Sequence, residues 1–252
     1  MSQRRSGLSP TCWLDADLPT VAENLALDEA LLADVHEGLW GGPVIRTWMA
    51  AEPTVVLGSS SHLAAEIDPD ACQAAGVRVL RRPSGGLTVV LGPGCLMWSV
   101  IAPLPETAPG IDSIHAAMLD PLCAALTAAG RAVVRRGASD IAIEVDGMER
   151  KVSGNALRIR RGAVLYHGTL LDRFDIGLLS RVLRHPPREP GYRARRPHEA
   201  FLANLRLGRV PLEAVVRRAF AADDVRRDWP QDRVTTLVRD RYLDAAWTHR
   251  LP

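Results

Sequence analysis

Lysine is almost absent from this chain of 252 residues. The 31 basic residues comprise 30 arginines and one lysine, Lys151. Arginine is a planar, permanently charged fork, whereas lysine is a compact point charge on a flexible stem with a tunable pKa. One lysine among so many basic positions is either a chance surface residue or the mark of a site that needs an ammonium. The residues around Lys151 decide between these interpretations.

Cysteine is also scarce, and its spacing argues against two kinds of site. The cysteines are scattered, with no Cys-x-x-Cys pair, and are Cys12, Cys72, Cys95 and Cys123. This spacing does not suit a structural zinc site or a disulfide framework, and it is typical of reduced cysteines that fill the core. We therefore expect a cytoplasmic protein.

Neither sign of charge dominates, and long apolar runs are missing. The 31 basic and 29 acidic residues leave a net charge of +2, whereas general nucleic-acid binding needs a strong basic excess. The apolar stretches are interrupted and strand-length, so no transmembrane helix is predicted. The first 18 residues contain no apolar core of a signal peptide. We expect neither a nucleic acid nor a membrane as partner.

The residues that are present predict an α+β fold. Helical patterns mark 20–36, which is predicted to be amphipathic, 68–76 and 113–130, and β-rich runs mark 44–60, 77–82, 87–92, 95–104 and 133–171. Hairpins are predicted at 51–53 and at Asp146–Gly147. We expect a mostly antiparallel sheet with helices gathered on one side. The whole chain, 1–252, is predicted to be one domain with a helical tail from about residue 176.

The first candidate site is the segment RRPSGGLTVVLGPG at 81–94. A strand runs into Ser84, Gly85 and Gly86, and a second strand follows. Glycines let backbone N–H groups approach a ligand and form a nest for an anion, and Arg81 and Arg82 would add positive charge. The spacing matches neither the Walker nor the Rossmann pattern. The alternative is a plain glycine hairpin.

The second candidate site surrounds Lys151 in ERKVSGNA, with DIAIEVDG before it and VLYHGTLL after it. A carboxylate, Asp140, near a lysine and an anion site suggests Mg²⁺ held by one or two carboxylates together with phosphates. His167 is either a base or a polar core residue. Asp140 is either a metal ligand or a turn residue.

Taken together, RRPSGG and RKVSGNA…HGTLL resemble the lipoate–protein ligase A family, within the biotin/lipoate ligase superfamily. The resemblance covers most of the chain. NLALDEALL resembles the family's N-terminal helix, VIRTWMAAEPTVVLGSSSH its next hairpin, and RRPHEAFLANL with VRDRYLDAAWTHR the tail of its shorter members. The pair of motifs is specific, and it implies a catalytic domain of the class II aminoacyl-tRNA synthetase and biotin ligase type, without a separate accessory domain.

In that family the two motifs enclose an acyl-adenylate. Lipoate or octanoate attacks the α-phosphate of ATP, pyrophosphate leaves, and a lysine of a lipoyl-type acceptor domain takes the acyl group. The resemblance implies that Lys151 is catalytic and contacts the acyl carbonyl and the α-phosphate, and that Asp140 is a Mg²⁺-linked carboxylate. It implies that the ligands are bound by Arg82, Ser84, Gly85, Gly86, Leu87, Thr88, Val89, Lys151, Ser153, Gly154 and His167.

Two features depart from the family pattern, which continues SGGG with a small residue and a His-Asp pair. Leu87 stands at the third glycine and loses backbone freedom there, and Leu91–Gly92 stand at the His-Asp pair. These departures leave the loop geometry and the preferred substrate open. The larger ligases also carry a C-terminal accessory domain that this chain is too short to hold. Either an accessory subunit completes the activity, or the short form suffices.

Three other functions compete with the ligase. Octanoyl- or lipoyltransferases of the same fold use a cysteine nucleophile and a thioester intermediate. No cysteine follows Cys123, and the neighbours of Cys95 are those of a core residue, so this route lacks its usual nucleophile. Biotin ligases typically carry a glycine-rich loop with more arginines than RRPSGG, which argues against biotin ligation. A non-catalytic protein that binds lipoate or acyl-adenylate fits the two departures, but the retained Lys151 argues against it.

A Pro/Arg-rich connector at 184–199 precedes the last helices. Its arginines at 184–196 are either a docking face for an acidic acceptor domain or part of a solvated loop.

Overall fold

The computed structural model describes residues 11–252. The strands are β1 (Cys12–Leu14), β2 (Val44–Met49), β3 (Thr54–Leu57), β4 (Arg78–Arg81), β5 (Val89–Leu91), β6 (Cys95–Pro103), β7 (Val133–Arg136), β8 (Asp140–Val145), β9 (Met148–Arg160), β10 (Ala163–Leu171) and β11 (Asp224–Arg226). The helices are α1 (Val21–His36), α2 (Leu63–Glu66), α3 (Pro69–Ala74), α4 (Ile111–Ala128), α5 (Ile176–Val182), α6 (His198–Phe201), α7 (Arg209–Ala219), α8 (Gln231–Leu237) and α9 (Ala245–Thr248). The signal-peptide prediction concerns residues 1–18, of which 1–10 lie outside the described residues.

The large sheet has the strand order β11-β1-β2-β6-β10-β9-β8-β7. Only the two pairs made by β1 are parallel, and the remaining pairs of this sheet are antiparallel. The predicted α+β class with a mostly antiparallel sheet is therefore confirmed. The predicted hairpin at Asp146–Gly147 is also confirmed, with both residues in the left-handed region (φ 53° and 73°) that this tight turn requires.

The predicted hairpin around 51–53 is wrong. Strand β2 pairs with β1 and β6 in the large sheet, whereas β3 pairs with β4 and β5 in a separate sheet of order β4-β3-β5. A turn signal indicates that the chain reverses direction but not which strand becomes the partner. Both edges of β2 are already paired, so the chain leaves the large sheet at Ala50–Pro53.

Helices cover both faces of the large sheet, so the prediction that they gather on one side is wrong. Side chains alternate along a strand, and on β6 Met97 packs into one core with α1 while Trp98 packs into the other. The second core includes Leu122 of α4 and Val216 of α7. Because the large sheet is apolar on both faces, helices must pack on both faces to bury it.

Helix α1 is buried on nearly all sides, so its predicted amphipathic character is wrong. It begins with a capping box between Thr20 and Glu23. Its buried set includes the polar residues Asn24, Asp28 and Glu29, because α1 lies between the sheet and the C-terminal tail. These buried polar groups need partners inside the protein.

The other predictions for the helices are confirmed with one exception. Helix α4 contains Pro121 and is followed by Gly130 in the left-handed conformation (φ 84°). The predicted helical tail contains α5 to α9, but long loops join these short helices, and the tail also contains β11, which no sequence pattern indicates and which pairs with β1 at the edge of the sheet. Among residues 11–252, no helix combines the length and apolar character needed to cross a lipid bilayer.

Candidate active site

A cavity of about 600 Å³ lies between the loop that joins β4 to β5 and the face of the large sheet that packs on α1. This volume is in the range of small-molecule sites. One end is apolar, and its walls include Leu25, Trp48, Val56, Leu91 and Met97. The other end is polar, and its walls include Asp140, Lys151, Arg188 and Glu189. The cavity can therefore hold a molecule with an apolar chain and a charged head.

A β-bulge aims Lys151 into this cavity. Between β8 and β9, Asp140 lies opposite Gly154 and Ile141 opposite Ser153, but Ala142 lies opposite Lys151. Simple alternation from Gly154 would place Lys151 on the far face of the sheet. The extra residue restores it to the cavity face, which is a common role of bulges at sites.

Asp140 holds the Lys151 ammonium in position. Its Oδ1 lies 2.7 Å from Nζ of Lys151, and the side chain of Lys151 is 26 % exposed against 9 % for Asp140. The other oxygen of Asp140 accepts a hydrogen bond from the Tyr192 hydroxyl at 2.9 Å. The ammonium packs against Gly154, where an added Cβ would lie 2.7 Å from Nζ. Burial, with Asp140 beside it, raises the pKa of Tyr192, so this hydroxyl stays a donor.

The glycine-rich loop is not a hairpin, so that alternative is wrong. Strands β4 and β5 lie on opposite edges of β3, and the loop at 82–88 crosses over the end of β3. Added atoms at Gly58 would overlap the Gly86 carbonyl, and Gly86 itself has a φ of 86°. Leu87 is not among the residues with positive φ. The third glycine position of this loop therefore accepts a side chain without left-handed strain.

Arg82 holds this loop together from inside. Its Nε donates to Ser84 Oγ at 3.0 Å, Nη1 to the Val56 carbonyl at 3.1 Å, and Nη2 to the Gly85 and Leu87 carbonyls at 2.7 and 2.9 Å. Burial lowers the pKa of Arg82 to about 10, so it stays charged at neutral pH. Its donors are engaged by the loop rather than turned toward an anion.

Arg81 is likewise engaged and does not add charge to the cavity. It is fully buried, and it donates to the carbonyls of Gly58, Ser61 and Thr248 at 2.8, 2.7 and 3.0 Å. The expectation that both arginines flank an anion site is therefore corrected. Arg81 ties the start of the loop to α9, since Trp247 Nε1 donates back to its carbonyl at 2.9 Å.

His167 connects the floor of the cavity to the loop. Its Nε2 lies 2.6 Å from Ser84 Oγ, and its Nδ1 lies 3.7 Å from Asp28 Oδ2. Asp28 pairs with Arg46 at 2.6 Å and accepts from Ser99 at 2.7 Å. Burial opposes the charge on Asp28, but Arg46 and the hydrogen bonds together hold the pKa of this carboxyl below its usual value. His167 thus lines the cavity and also positions the loop.

The structure brings most of the predicted site residues to the cavity wall. Those that line it are Arg82, Gly86, Leu87, Thr88, Val89, Asp140, Lys151, Gly154 and His167. Ser84 and Gly85 do not line it, and Ser84 is fully buried between Arg82 and His167. Ser153 lines a smaller neighbouring cavity of about 150 Å³.

No cysteine reaches the cavity. All four lie within residues 11–252, and none lines the cavity wall. Burial raises the pKa of Cys95 to about 12 and that of Cys123 to about 11. A thiol with so high a pKa is a poor nucleophile at neutral pH, because the thiolate is the reactive form.

The donor set does not form a protein-built Mg²⁺ site. Within residues 11–252, no three His, Cys, Asp or Glu side chains are arranged to hold a metal ion. Asp140 is one carboxylate with both oxygens engaged, by Lys151 and by Tyr192. A magnesium ion here would depend on ligands from phosphates. The geometry instead supports Asp140 as the partner that orients Lys151.

His198 is a site residue that no sequence pattern indicates. It lines the smaller cavity together with Lys151. Burial lowers the pKa of His198 to about 4, and Arg193, His185 and Lys151 act in the same direction. No local motif marks it, because it reaches Lys151 only through a contact distant in sequence: the Ala203 amide donates to the Lys151 carbonyl at 2.9 Å.

The connector at 184–199 closes the polar end of the cavity. Arg188, Glu189, Pro190 and Gly191 line the wall. Its arginines are not all solvated, since Arg193 and Arg196 pack on the Phe201 ring with guanidinium carbons 4.9 and 5.4 Å from its centroid. A docking role for the remaining arginines stays a prediction.

Comparison with known sequences places this arrangement among described proteins. Residues 20–222 match the family described as the lipoyl protein ligase A/B catalytic domain. The chain is 32 % identical over 223 residues to the octanoyltransferase LipM of Symbiobacterium thermophilum, and the match covers 79 % of this chain and 80 % of that protein.

Two solved structures share the fold. The bi-partite lipoate protein ligase from Thermoplasma acidophilum, from a study that includes its E2 lipoyl domain, has a TM-score of 0.82 and 23 % identity over 98 % of both chains. A lipoate-protein ligase A bound with ATP has a TM-score of 0.80 and 23 % identity over 96 % of this chain and 100 % of that chain. At these identities the likeness concerns the fold.

Proposed function

Since this chain belongs to the lipoyl protein ligase A/B catalytic domain family, we propose that it is an ATP-dependent lipoate–protein ligase. The resemblance drawn from the two paired motifs is thereby confirmed, whereas the activity within the family is our proposal. The reaction would activate lipoate or octanoate as acyl-AMP and transfer the acyl group to a lysine of a lipoyl-type acceptor domain.

One observation carries this proposal: the cavity is divided into an apolar end and a polar end, with the Lys151 ammonium on the polar side. Leu25, Trp48 and Met97 suit an acyl chain. Lys151 then lies where the carboxylate of that chain would meet the α-phosphate. Preorganised charge in such a site is worth roughly 3–4 kcal/mol of transition-state stabilisation.

Asp140 has a clear part in this proposal. By binding Lys151 at 2.7 Å, it keeps a flexible stem in one direction before substrate arrives. When the phosphate binds, the ammonium has a second anionic neighbour, and a compact ammonium with three donors can contact both. No step requires a metal ion held by the protein, and any Mg²⁺ would enter with the phosphates of ATP.

The absence of cysteine from the cavity wall favours the ligase over a thioester route. Octanoyl transfer is nevertheless the second candidate, because the chain is 32 % identical to an octanoyltransferase. That reaction would take the acyl group from a carrier without ATP. It would need a nucleophile other than the buried thiols of Cys95 and Cys123, or direct transfer from the carrier to the acceptor.

Two partners belong to the proposal. The T. acidophilum ligase was studied with its E2 lipoyl domain, and this supports a lipoyl-type acceptor here. The same protein is described as bi-partite, and this supports an accessory subunit. We retain residues 1–252 as one catalytic domain in this proposal.

The test is lipoate-dependent exchange of labelled pyrophosphate into ATP by the purified chain. It needs no acceptor and reports adenylation alone. We expect exchange that falls by at least a hundredfold in Lys151→Ala. The control is Arg160→Ala, which removes an exposed cation from the same strand and should leave exchange unchanged.

An opposite result would select the second candidate. Absence of exchange with lipoate or octanoate, combined with octanoyl transfer from an acyl carrier without ATP, would replace the ligase by a transferase. Ligand binding without either reaction would indicate a binding protein.

A further inference from the structure

A buried carboxylate stands beside the glycine-rich loop, in a region where a negative charge would repel a phosphate. Glu66, the last residue of α2, is 6 % exposed. Its Oε2 accepts hydrogen bonds from the N–H and the hydroxyl of Thr88, each at 2.8 Å. Burial lowers the pKa of Arg82, and the Glu66 carboxylate acts in the opposite direction. A buried charge is costly unless it is paired and hydrogen-bonded, so the partners of Glu66 indicate what it does.

The peptide group between Leu87 and Thr88 is held at both of its polar ends. Its carbonyl accepts from Arg82 Nη2 at 2.9 Å, and its N–H donates to Glu66 at 2.8 Å. The carbonyl and the N–H of a trans peptide point in opposite directions. Turning this peptide over would therefore break both hydrogen bonds at once, and the pair of Arg82 and Glu66 fixes it in one orientation.

The earlier peptides of the loop also turn their carbonyls toward the protein. The Ser84 carbonyl lies 2.8 Å from the Ser59 amide, the Gly85 carbonyl lies 2.7 Å from Arg82 Nη2, and the Gly86 carbonyl packs on Gly58. By contrast, the N–H groups of Gly85, Gly86 and Leu87 have no hydrogen-bond acceptor among residues 11–252. A row of such amides can meet an anion, and the Thr88 amide is withdrawn from that row by Glu66.

We propose that Glu66 is a positioning residue that fixes the end of this row of free amides. This inference rests on the proposed ligase function and deepens it. By accepting the N–H of Thr88, Glu66 ends the row at Leu87 and holds Thr88 in the wall of the main cavity. The role requires an acceptor oxygen at the correct distance from Thr88, and it does not require the negative charge itself.

Glu66 is itself held by the start of the connector. Its carbonyl accepts from the Arg184 amide at 3.0 Å. The next residue, Ile67, forms a β-bridge with Leu183, and its carbonyl accepts from Arg184 Nε at 2.8 Å. Glu66 thus joins the connector through its main chain and the loop through its side chain. A change confined to the side chain should release the loop and leave the main-chain contacts in place.

The experiment compares two variants that separate reach from charge. Glu66→Gln keeps an acceptor oxygen at the same reach and removes the charge, whereas Glu66→Asp keeps the charge and withdraws the oxygens by one methylene. The matched control is Glu106→Gln, an exposed glutamate in the loop after β6. Hydrogen–deuterium exchange measures the protection of the Thr88 amide in the purified chain. Pyrophosphate exchange measures the rate and the KM values for ATP and lipoate.

We expect hydrogen exchange of the Thr88 amide to be about tenfold faster in Glu66→Asp than in the wild type. Pyrophosphate exchange should fall about a hundredfold in this variant, because small displacements of a positioning element cost this much. The KM for ATP should rise more than the KM for lipoate. Glu66→Gln should keep the amide protected and lose less than about tenfold in rate, since a neutral hydrogen bond replaces a charged one. The control should behave like the wild type.

Two results would overturn the inference. A larger loss of rate in Glu66→Gln than in Glu66→Asp would make the charge essential, as for a metal ligand or a base. An unprotected Thr88 amide in the wild type would show that Glu66 does not hold the loop. If the wild type shows no pyrophosphate exchange, the ligase proposal fails by itself. Protection of the Thr88 amide then still decides whether Glu66 positions the loop, and octanoyl transfer from an acyl carrier supplies the rates for the same comparison.

Discussion

The two motifs of the site use their positive charges in opposite ways. In the glycine-rich loop, Arg82 is nearly fully buried and its donors bind atoms of its own loop and of β3. In β9, Lys151 faces the cavity and has Asp140 as its salt-bridge partner. An arginine fork suits several carbonyls at fixed positions, whereas a single ammonium suits a partner that changes during a reaction. The comparison separates charge that builds a site from charge that acts in it.

Replacing Lys151, the cation that faces the cavity, should give the largest effect on activity. Lys151→Arg should lower adenylation by about a hundredfold or more, because the larger guanidinium must fit where Nζ now packs against Gly154. Thermal unfolding should hardly change. Pyrophosphate exchange and a melting curve measure the two quantities. A variant with normal exchange would show that any cation suffices at this position.

Replacing Arg82, the cation that holds the glycine-rich loop together, should chiefly affect stability. Arg82→Lys cannot supply the separate donors that now reach Ser84, Val56, Gly85 and Leu87. Leaving buried acceptors unpaired should lower the free energy of unfolding by about 2–3 kcal/mol. Urea denaturation checks this value. Wild-type stability with lost exchange would mean that Arg82 acts on the ligand instead.

His198, in the wall of the smaller cavity, should make the stability of the protein depend on pH. The pKa of His198 is about 4 in the folded chain and about 6.5 when unfolded. The unfolded state therefore binds the proton first as pH falls, and His198 lowers stability below about pH 6.5. Between pH 7 and pH 5 the loss should be about 2 kcal/mol. Urea denaturation at both pH values measures the loss of unfolding free energy between pH 7 and pH 5. This loss should be about 2 kcal/mol larger in the wild type than in His198→Gln, and an equal loss in both proteins would contradict the prediction.

The smallest effect is expected at the position that departs from the family pattern. Because Leu87 has no left-handed φ, Leu87→Gly should gain nothing in the folded state. It should add freedom to the unfolded chain and lower stability by about 0.5–1 kcal/mol. A glycine variant that is more stable, or much more active, would show that Leu87 strains the loop.

Local signals in the sequence predicted the local structure well. The structure contains the predicted turn at Asp146–Gly147 and the predicted end of α4 before Gly130. Both features depend only on residues that are neighbours in the chain. Pairing was less predictable. The turn signal at Ala50–Pro53 predicts the wrong partner for β2 and β3, because such a turn is compatible with either arrangement of the two strands.

Part of the candidate site could also be predicted, because each of the two motifs is a short local sequence. The two motifs identify Lys151 and the loop, and the cavity brings them together. The motif could not show that Ser84 is buried behind the wall or that both oxygens of Asp140 are engaged, by Lys151 and by Tyr192. The position of His198 depends on a backbone bond between Ala203 and Lys151, which no periodicity records.

By itself the sequence determined that one ammonium stands in the chain, that it lies in a specific pair of motifs, and that these motifs identify the family. These are properties of residue identity and spacing. Only the tertiary structure decided which charges act. The bulge between β8 and β9 turns Lys151 toward the cavity. The guanidinium groups of Arg81 and Arg82 instead donate to backbone carbonyls that the fold brings around them. The direction of a side chain depends on register between strands, and register depends on contacts between residues far apart in the chain.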